Sequence, residues 1–253
     1  RRQRQMCLRD SPTPGSPPSP RAPRLARRVG AGRRGQGPGG ELRHLDPSGG
    51  GVELALACDY RTMSAGVPAI ALPECFLGLV PGWGGCYSLP NLIGVRHALT
   101  MIIDNPMNNN KMLKGPQAYE LGLADVLLEP ADFLEESIGW AAKVIAGEIT
   151  VTRPEIDRDE ATWEAAIAAS RAVVDAKTGG FAPAPYRALE LISQARTATR
   201  DEGFAAEDEA LTRLVMGDDL RASIYSFDLV QKRAKRAAVV DLAVIGDDIV
   251  DLF

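Results

Sequence analysis

The chain has 253 residues, 45% of them apolar, and a formal net charge of −4. That length fits one medium domain or two small ones with a real core, and the charge singles out no class of partner. No apolar run reaches the roughly 18–20 residues of a membrane span, and the basic N-terminus lacks the apolar segment of a secretory signal.

Residues 1–48 differ from everything after them. They are dominated by arginine, proline, glycine and serine, contain no lysine, and show no apolar periodicity. Such a segment buries too little surface to offset its ordering entropy, and disorder is expected. Arginine without lysine, in a chain that begins with Arg1, also fits an out-of-frame reading of a GC-rich gene. A plain linker and an RNA-binding arm are the other readings. From Gly49 the composition becomes globular. Residues 52–58 (VELALAC) read as a short buried helix, and 60–72 as two short strands around a Gly66-Val67-Pro68 turn. Residues 73–94, rich in glycine and proline, read as a loop. Helix is expected over 95–103, a polar loop over 104–112, helix again over 115–122 with Pro116 in its first turn, and a strand in ADVLLE at 124–129. The remainder reads as helix. Residues 132–146 place Phe133, Leu134, Ile138, Ala141, Ala142 and Ile145 at helical spacing, and 160–177 do so with Trp163, Ile167, Ser170, Val173 and Val174. Further helices are expected near 186–199, 203–216 and 219–236, the last with a basic end suited to the helix dipole.

Cys7, Cys58, Cys75 and Cys86 show neither CxxC nor zinc spacing, and His44 and His97 lie far apart. Reduced structural thiols are expected, and neither a metal site nor a Ser-His-Asp triad. Gly246-Asp247-Asp248 is not a dinucleotide fingerprint.

Two stretches carry chemistry. Gly49-Gly50-Gly51 runs into a helix, where glycine permits a close approach and free N–H groups can receive an anion or a developing oxyanion. Taken with this stretch alone, Glu53 in that first turn reads first as a charge complementing the helix dipole. Glu74 follows Pro73 inside the mostly apolar ALPECFLGL, where an ionised carboxylate is costly to bury. Such a group has a partner or has its protonation tuned for acid–base work. The loop with Pro81, Gly82, Gly84 and Gly85 can wrap closely around a ligand.

The order GGGVELALACDYR, LPECFLGLVPGWGG, ALTMII and AYELGLADVLLEP resembles the enoyl-CoA hydratase/isomerase (crotonase) superfamily. APAPYRALELISQARTATRDEGFAAEDEALTRLV through FDLVQKRAKR is most similar to the hydratase part of the multifunctional fatty-acid oxidation α-chain. The resemblance implies an α/β chain with a partial crotonase-like (ClpP/crotonase) fold and a mostly helical C-terminal half. It implies three regions: 1–48, a partial hydratase domain over 49–236, and a tail over 237–253 in place of a dehydrogenase domain. Gly50 matches the oxyanion N–H donor, Glu53 the glutamate that activates water, and Glu74 the glutamate that protonates Cα. Gly49, Gly51, Pro81 and Gly82 match substrate-lining positions. The implied activity is hydration of a 2-trans-enoyl-CoA in fatty-acid β-oxidation, without cofactor or metal. The implied setting is the cytoplasm, in an oligomer with a possible thiolase subunit, with no membrane or nucleic-acid partner. Nothing in 1–48 resembles the family's first half, which carries a second oxyanion N–H. The expectation is an impaired hydratase, since one such donor contributes about 3–4 kcal/mol. A non-catalytic assembly role is the alternative, and RNA binding through the arginine-rich arm a minor one.

Overall fold

The computed structural model describes residues 49–237, with side chains described through Arg233. The expectations for residues 1–48 and for the tail from 238 onward lie outside the described residues.

The first element, α1 (Gly50–Leu56), starts at Gly49, whose φ of 59° and ψ of −128° suit only glycine. It buries Val52, Glu53 and Ala55. Two short parallel strands follow, β1 (Thr62–Ser64) and β2 (Val126–Leu128), with Thr62 opposite Val126 and Ser64 opposite Leu128. Their entry is fixed by Asp125. Its carboxylate accepts from the Arg61 N–H at 2.7 Å and from Arg153 Nε at 2.7 Å. The Arg61 guanidinium donates to Leu123 O and Cys58 O.

The two strands expected around the Gly66-Val67-Pro68 turn do not pair with each other. The first segment pairs with β2, and Ile70 of the second forms an antiparallel bridge with Leu113. Residues 73–94 are not one loop either. They hold a 3₁₀ turn (Glu74–Leu77) and a helix, α2 (Gly85–Ile93), with Pro90 inside it. Pro90, six residues in, cannot donate to the Cys86 carbonyl, while its own carbonyl still accepts from the Gly94 N–H that ends the helix. The expected 95–103 helix is longer. α3 (Val95–Leu99) runs through a wider π turn at Thr100–Asp104 into α4 (Asn105–Met107), taking in half of the expected polar loop. α5 (Gly115–Glu120) has Pro116 in its first turn as expected.

The C-terminal half is five helices: α6 (Phe133–Ile145), α7 (Glu160–Thr178), α8 (Pro183–Ala195), α9 (Arg200–Val215) and α10 (Asp218–Ala237). Their starts follow from side chains that satisfy free N–H groups. Asp159 accepts from the Thr162 N–H, and Thr199 with Glu202 forms a reciprocal capping box. α7 buries Trp163, Ala166, Ser170 and Val174, close to the expected face. α6 departs from expectation. It buries Phe133, Ala141 and Val144, while Leu134, Ile138 and Ile145 are exposed, because only strand β2 and its surroundings cover it. The main core gathers α2, α3, the π turn, α7 and α8 around Leu89, Leu99, Ile102, Trp163, Leu189 and Ile192. Each large side chain so buried stabilises the fold by roughly 1.5–3 kcal/mol. α9 and α10 close over the first part of the chain, against α2 and the 3₁₀ turn respectively.

Candidate active site

Four of the residues singled out from sequence come together. Gly49 is buried, and its N–H donates to Ala71 O at 2.9 Å, which ties the start of α1 to the segment leading into Glu74. A Cβ at Gly49 would lie 2.7 Å from Glu74 Oε1, so only glycine lets that carboxyl rest against the backbone here. Gly50 opens α1. As a first-turn residue its N–H has no acceptor within the helix, and none is found among the described residues. The Trp83 ring covers it: a Cβ at Gly50 would meet the indole at 3.0 Å.

Glu53 is 4% exposed and faces the start of α2. Its Oε1 accepts from the Trp83 N–H at 2.7 Å and the Gly85 N–H at 3.2 Å; Oε2 takes neither bond. Burial pushes its pKa up, and the two N–H bonds pull it back. Glu74 is offset only by its own backbone N–H. Its Oε2 is buried with no partner among the described residues. Burial raises its pKa to about 7, and the negative charge of Glu53 adds to the rise. Burial thus raises both carboxyls, and Glu53 has two N–H donors from other residues to offset it where Glu74 has none, a difference in environment of the kind that separates acid and base roles between two like groups.

The remaining expected positions fall differently. Pro81 is buried and packs on Gly85, where a Cβ would sit 2.4 Å from the proline ring. Gly82 is buried, and its α-carbon faces Leu211 of α9 rather than open space. Gly51 is exposed with nothing within 4 Å of a Cβ position.

One residue escaped the reading of the sequence. Glu207 of α9 is 1% exposed, and its carboxylate accepts from the Gly84 N–H and from the Tyr87 N–H at 2.6 Å. Burial raises its pKa to about 8 against the pull of those two bonds, with Glu53 contributing further. Its signal was an acid inside the apolar stripe Gly203–Glu207–Ala210–Leu214. Among the described residues no group of His, Cys, Asp and Glu is arranged to hold a metal, and no helix is long and apolar enough to cross a membrane. Cys75 and Cys86 are free and buried, and their burial pushes both thiols up.

The chain is similar to proteins named fatty acid oxidation complex subunit alpha. The protein of that name from Idiomarina loihiensis is 31% identical over 185 residues, covering 71% of this chain and 25% of the relative. That from Pseudomonas paraeruginosa is 29% identical over 220 residues, covering 79% and 30%. The chain thus spans under a third of the length of these relatives. Among solved structures, an enoyl-CoA hydratase from Mycobacterium avium subsp. paratuberculosis shares 18% identity, with a TM-score of 0.45 over 72% of this chain and 58% of that one. The profile described as enoyl-CoA hydratase/isomerase matches residues 47–173, which hold Gly49, Gly50, Glu53, Glu74 and the start of α2. By that match, the chain belongs to the enoyl-CoA hydratase/isomerase family.

Proposed function

We propose that this site performs hydratase-type chemistry, the addition of water across the double bond of a 2-trans-enoyl-CoA to give a 3-hydroxyacyl-CoA. The observation that carries the proposal is the pairing of Glu53, held by two N–H groups, with Glu74, whose buried Oε2 has no partner among the described residues, beside the Gly50 N–H, which has no acceptor among them either. A water between the two carboxyls attacks Cβ and gives its proton to Glu53 at Oε2. As the new C–O bond forms, the π pair moves to Cα and takes the Glu74 proton. The thioester oxygen, which carries negative charge in between, receives the Gly50 N–H. One turnover leaves Glu53 protonated and Glu74 ionised, and return of that proton through solvent resets the pair. No step needs a metal or a cofactor. The name of the relatives, fatty acid oxidation complex subunit alpha, supports a role in fatty-acid oxidation within a complex; β-oxidation, a cytoplasmic setting and a thiolase subunit as partner are part of the same proposal.

Of the two oxyanion donors that the family resemblance implies, Gly50 is the one among the described residues. Loss of a single donor costs about 10²–10³ in turnover, so this chain is expected to hydrate slowly. The test is hydration of crotonyl-CoA by the purified chain at high enzyme concentration. A rate above that of buffer, lost in Glu74→Gln, is expected. A rate unaffected by Glu74→Gln would overturn the reading.

A second reading has its own observation. α10 leaves Ile224, Tyr225 and Val230 exposed, apolar surface suited to assembly rather than to chemistry. Equal behaviour of wild type and a Glu53→Ala/Glu74→Ala chain, with oligomers in size-exclusion chromatography, would favour it; a monomer alone would count against it.

A further inference from the structure

The first turn of α2 receives two carboxylates from opposite ends of the described sequence, and their bonds alternate. Glu53 of α1 takes the N–H groups of Trp83 and Gly85; Glu207 of α9 takes those of Gly84 and Tyr87. Neither carboxylate alone fixes this turn. The peptide planes that aim Trp83 and Gly85 at Glu53 flank the plane that aims Gly84 at Glu207, joined to it through the φ and ψ angles of Trp83 and Gly84.

The packing around Glu207 supports a fixed attachment. A Cβ at Gly84 would lie 2.4 Å from the Phe204 ring, one at Gly82 would lie 2.6 Å from Leu211, and one at Gly203 would lie 2.3 Å from the Tyr87 ring. Glycine on one side or the other thus brings α9 and the 82–87 segment to within a side chain's width at three points. Gly84 also has a φ of 98°, a conformation held by its surroundings. Glu207 lies outside the span matched by the family profile, which ends at residue 173.

We propose that Glu207 is the positioning residue of the site: by clamping Gly84 and Tyr87 it aligns the Trp83 and Gly85 N–H groups that orient the Glu53 carboxylate. It touches neither the reacting atoms nor substrate; it acts through the backbone of residues 83–85. The kinetic part of this inference rests on the hydratase reading above, and the structural part does not.

The experiment compares wild type, Glu207→Gln and Glu207→Asp, using backbone amide hydrogen exchange on the ligand-free chain and hydration of crotonyl-CoA. Glutamine keeps the shape but turns an N–H donor toward an N–H donor. Aspartate keeps both acceptor oxygens on a shorter stem, and it serves if the glutamine variant fails to fold. The expected result in Glu207→Gln is roughly tenfold faster exchange at Trp83 and Gly85 as well as at Gly84 and Tyr87. With it come a kcat reduced by roughly tenfold or more and a KM within about twofold of wild type. Partial recovery of kcat and of protection in Glu207→Asp is expected. Faster exchange confined to Gly84 and Tyr87, with protection at Trp83 and Gly85 intact, would overturn the proposal and leave Glu207 a helix cap. A wild-type chain that hydrates nothing would sink the hydratase reading; the exchange at Trp83 and Gly85 would then decide the role of Glu207 by itself.

Discussion

Glu53 and Glu74 differ in what their oxygens touch. Two backbone N–H groups stabilise the anion of Glu53, whereas Glu74 has the backbone of Gly49 on one side and a buried, unpartnered oxygen on the other. An acid that must be protonated and has a pKa of about 7 predicts an alkaline limb. Hydration is expected to fall as pH rises through about 7, and the pH–rate profile of kcat/KM for crotonyl-CoA checks it. A flat profile to pH 9 would remove Glu74 as the acid. Gly49 can be tested the same way. Gly49→Ala forces a Cβ to 2.7 Å from Glu74 Oε1 in a backbone conformation that only glycine adopts freely. A loss of about 1–3 kcal/mol of stability is expected in denaturant titration, with turnover falling as Glu74 is displaced. At this scale the sequence was partly legible. Glu53 stood out only once Glu74 was noticed, since a glutamate in a first turn is ordinary. Glu207 had only a weak signal, its place on the stripe of Gly203, Ala210 and Leu214. It sits in DEGFAAEDEA, where acids are plentiful, and its burial depends on how α9 crosses α2, which no local pattern states.

Elements that bury one face by periodicity were the readable ones. α7, α8 and α9 begin and end within a few residues of where their apolar spacing and caps place them. The 73–94 segment was misread because Gly82, Gly84, Gly85, Pro81 and Pro90 all suggest a loop. The structure uses those glycines for contact instead, and supplies α2 with caps from Glu53 and Glu207 that lie far away in sequence. The pairing of the short strands was not legible, because β1 finds its partner 64 residues downstream. Asp125 holds that pairing, with a side chain 3% exposed between Arg61 and Arg153. Asp125→Ala leaves the buried Arg61 guanidinium without its counter-charge. A loss of about 3–5 kcal/mol is expected, read from urea unfolding; a change under about 1 kcal/mol would mean that the Leu123 and Cys58 carbonyls suffice.

Burial raises the pKa values of Glu53, of Glu74 and Glu207, which both feel the charge of Glu53, and of Asp104 on the π turn. Raised values mean that the folded chain binds more protons than the unfolded chain above the ordinary carboxyl range. Their contribution is therefore complete below about pH 4.5 and is lost as pH climbs through 7 and 8. Each of Glu74 and Glu207 is expected to remove roughly 1–3 kcal/mol across that window. Unfolding free energies at pH 5.5 and 8.5 check this, and the difference should shrink in Glu74→Gln. Storing destabilising carboxyls in one place is what an acid–base site requires and what a structural interface has no use for. The most direct measurement is the hydration rate of crotonyl-CoA for wild type, Glu53→Gln, Glu74→Gln and the double variant. The two carboxyls act in one step, so each single variant is expected to lose nearly all turnover, and the double variant to lose little more. A double variant as active as the wild type would contradict the account.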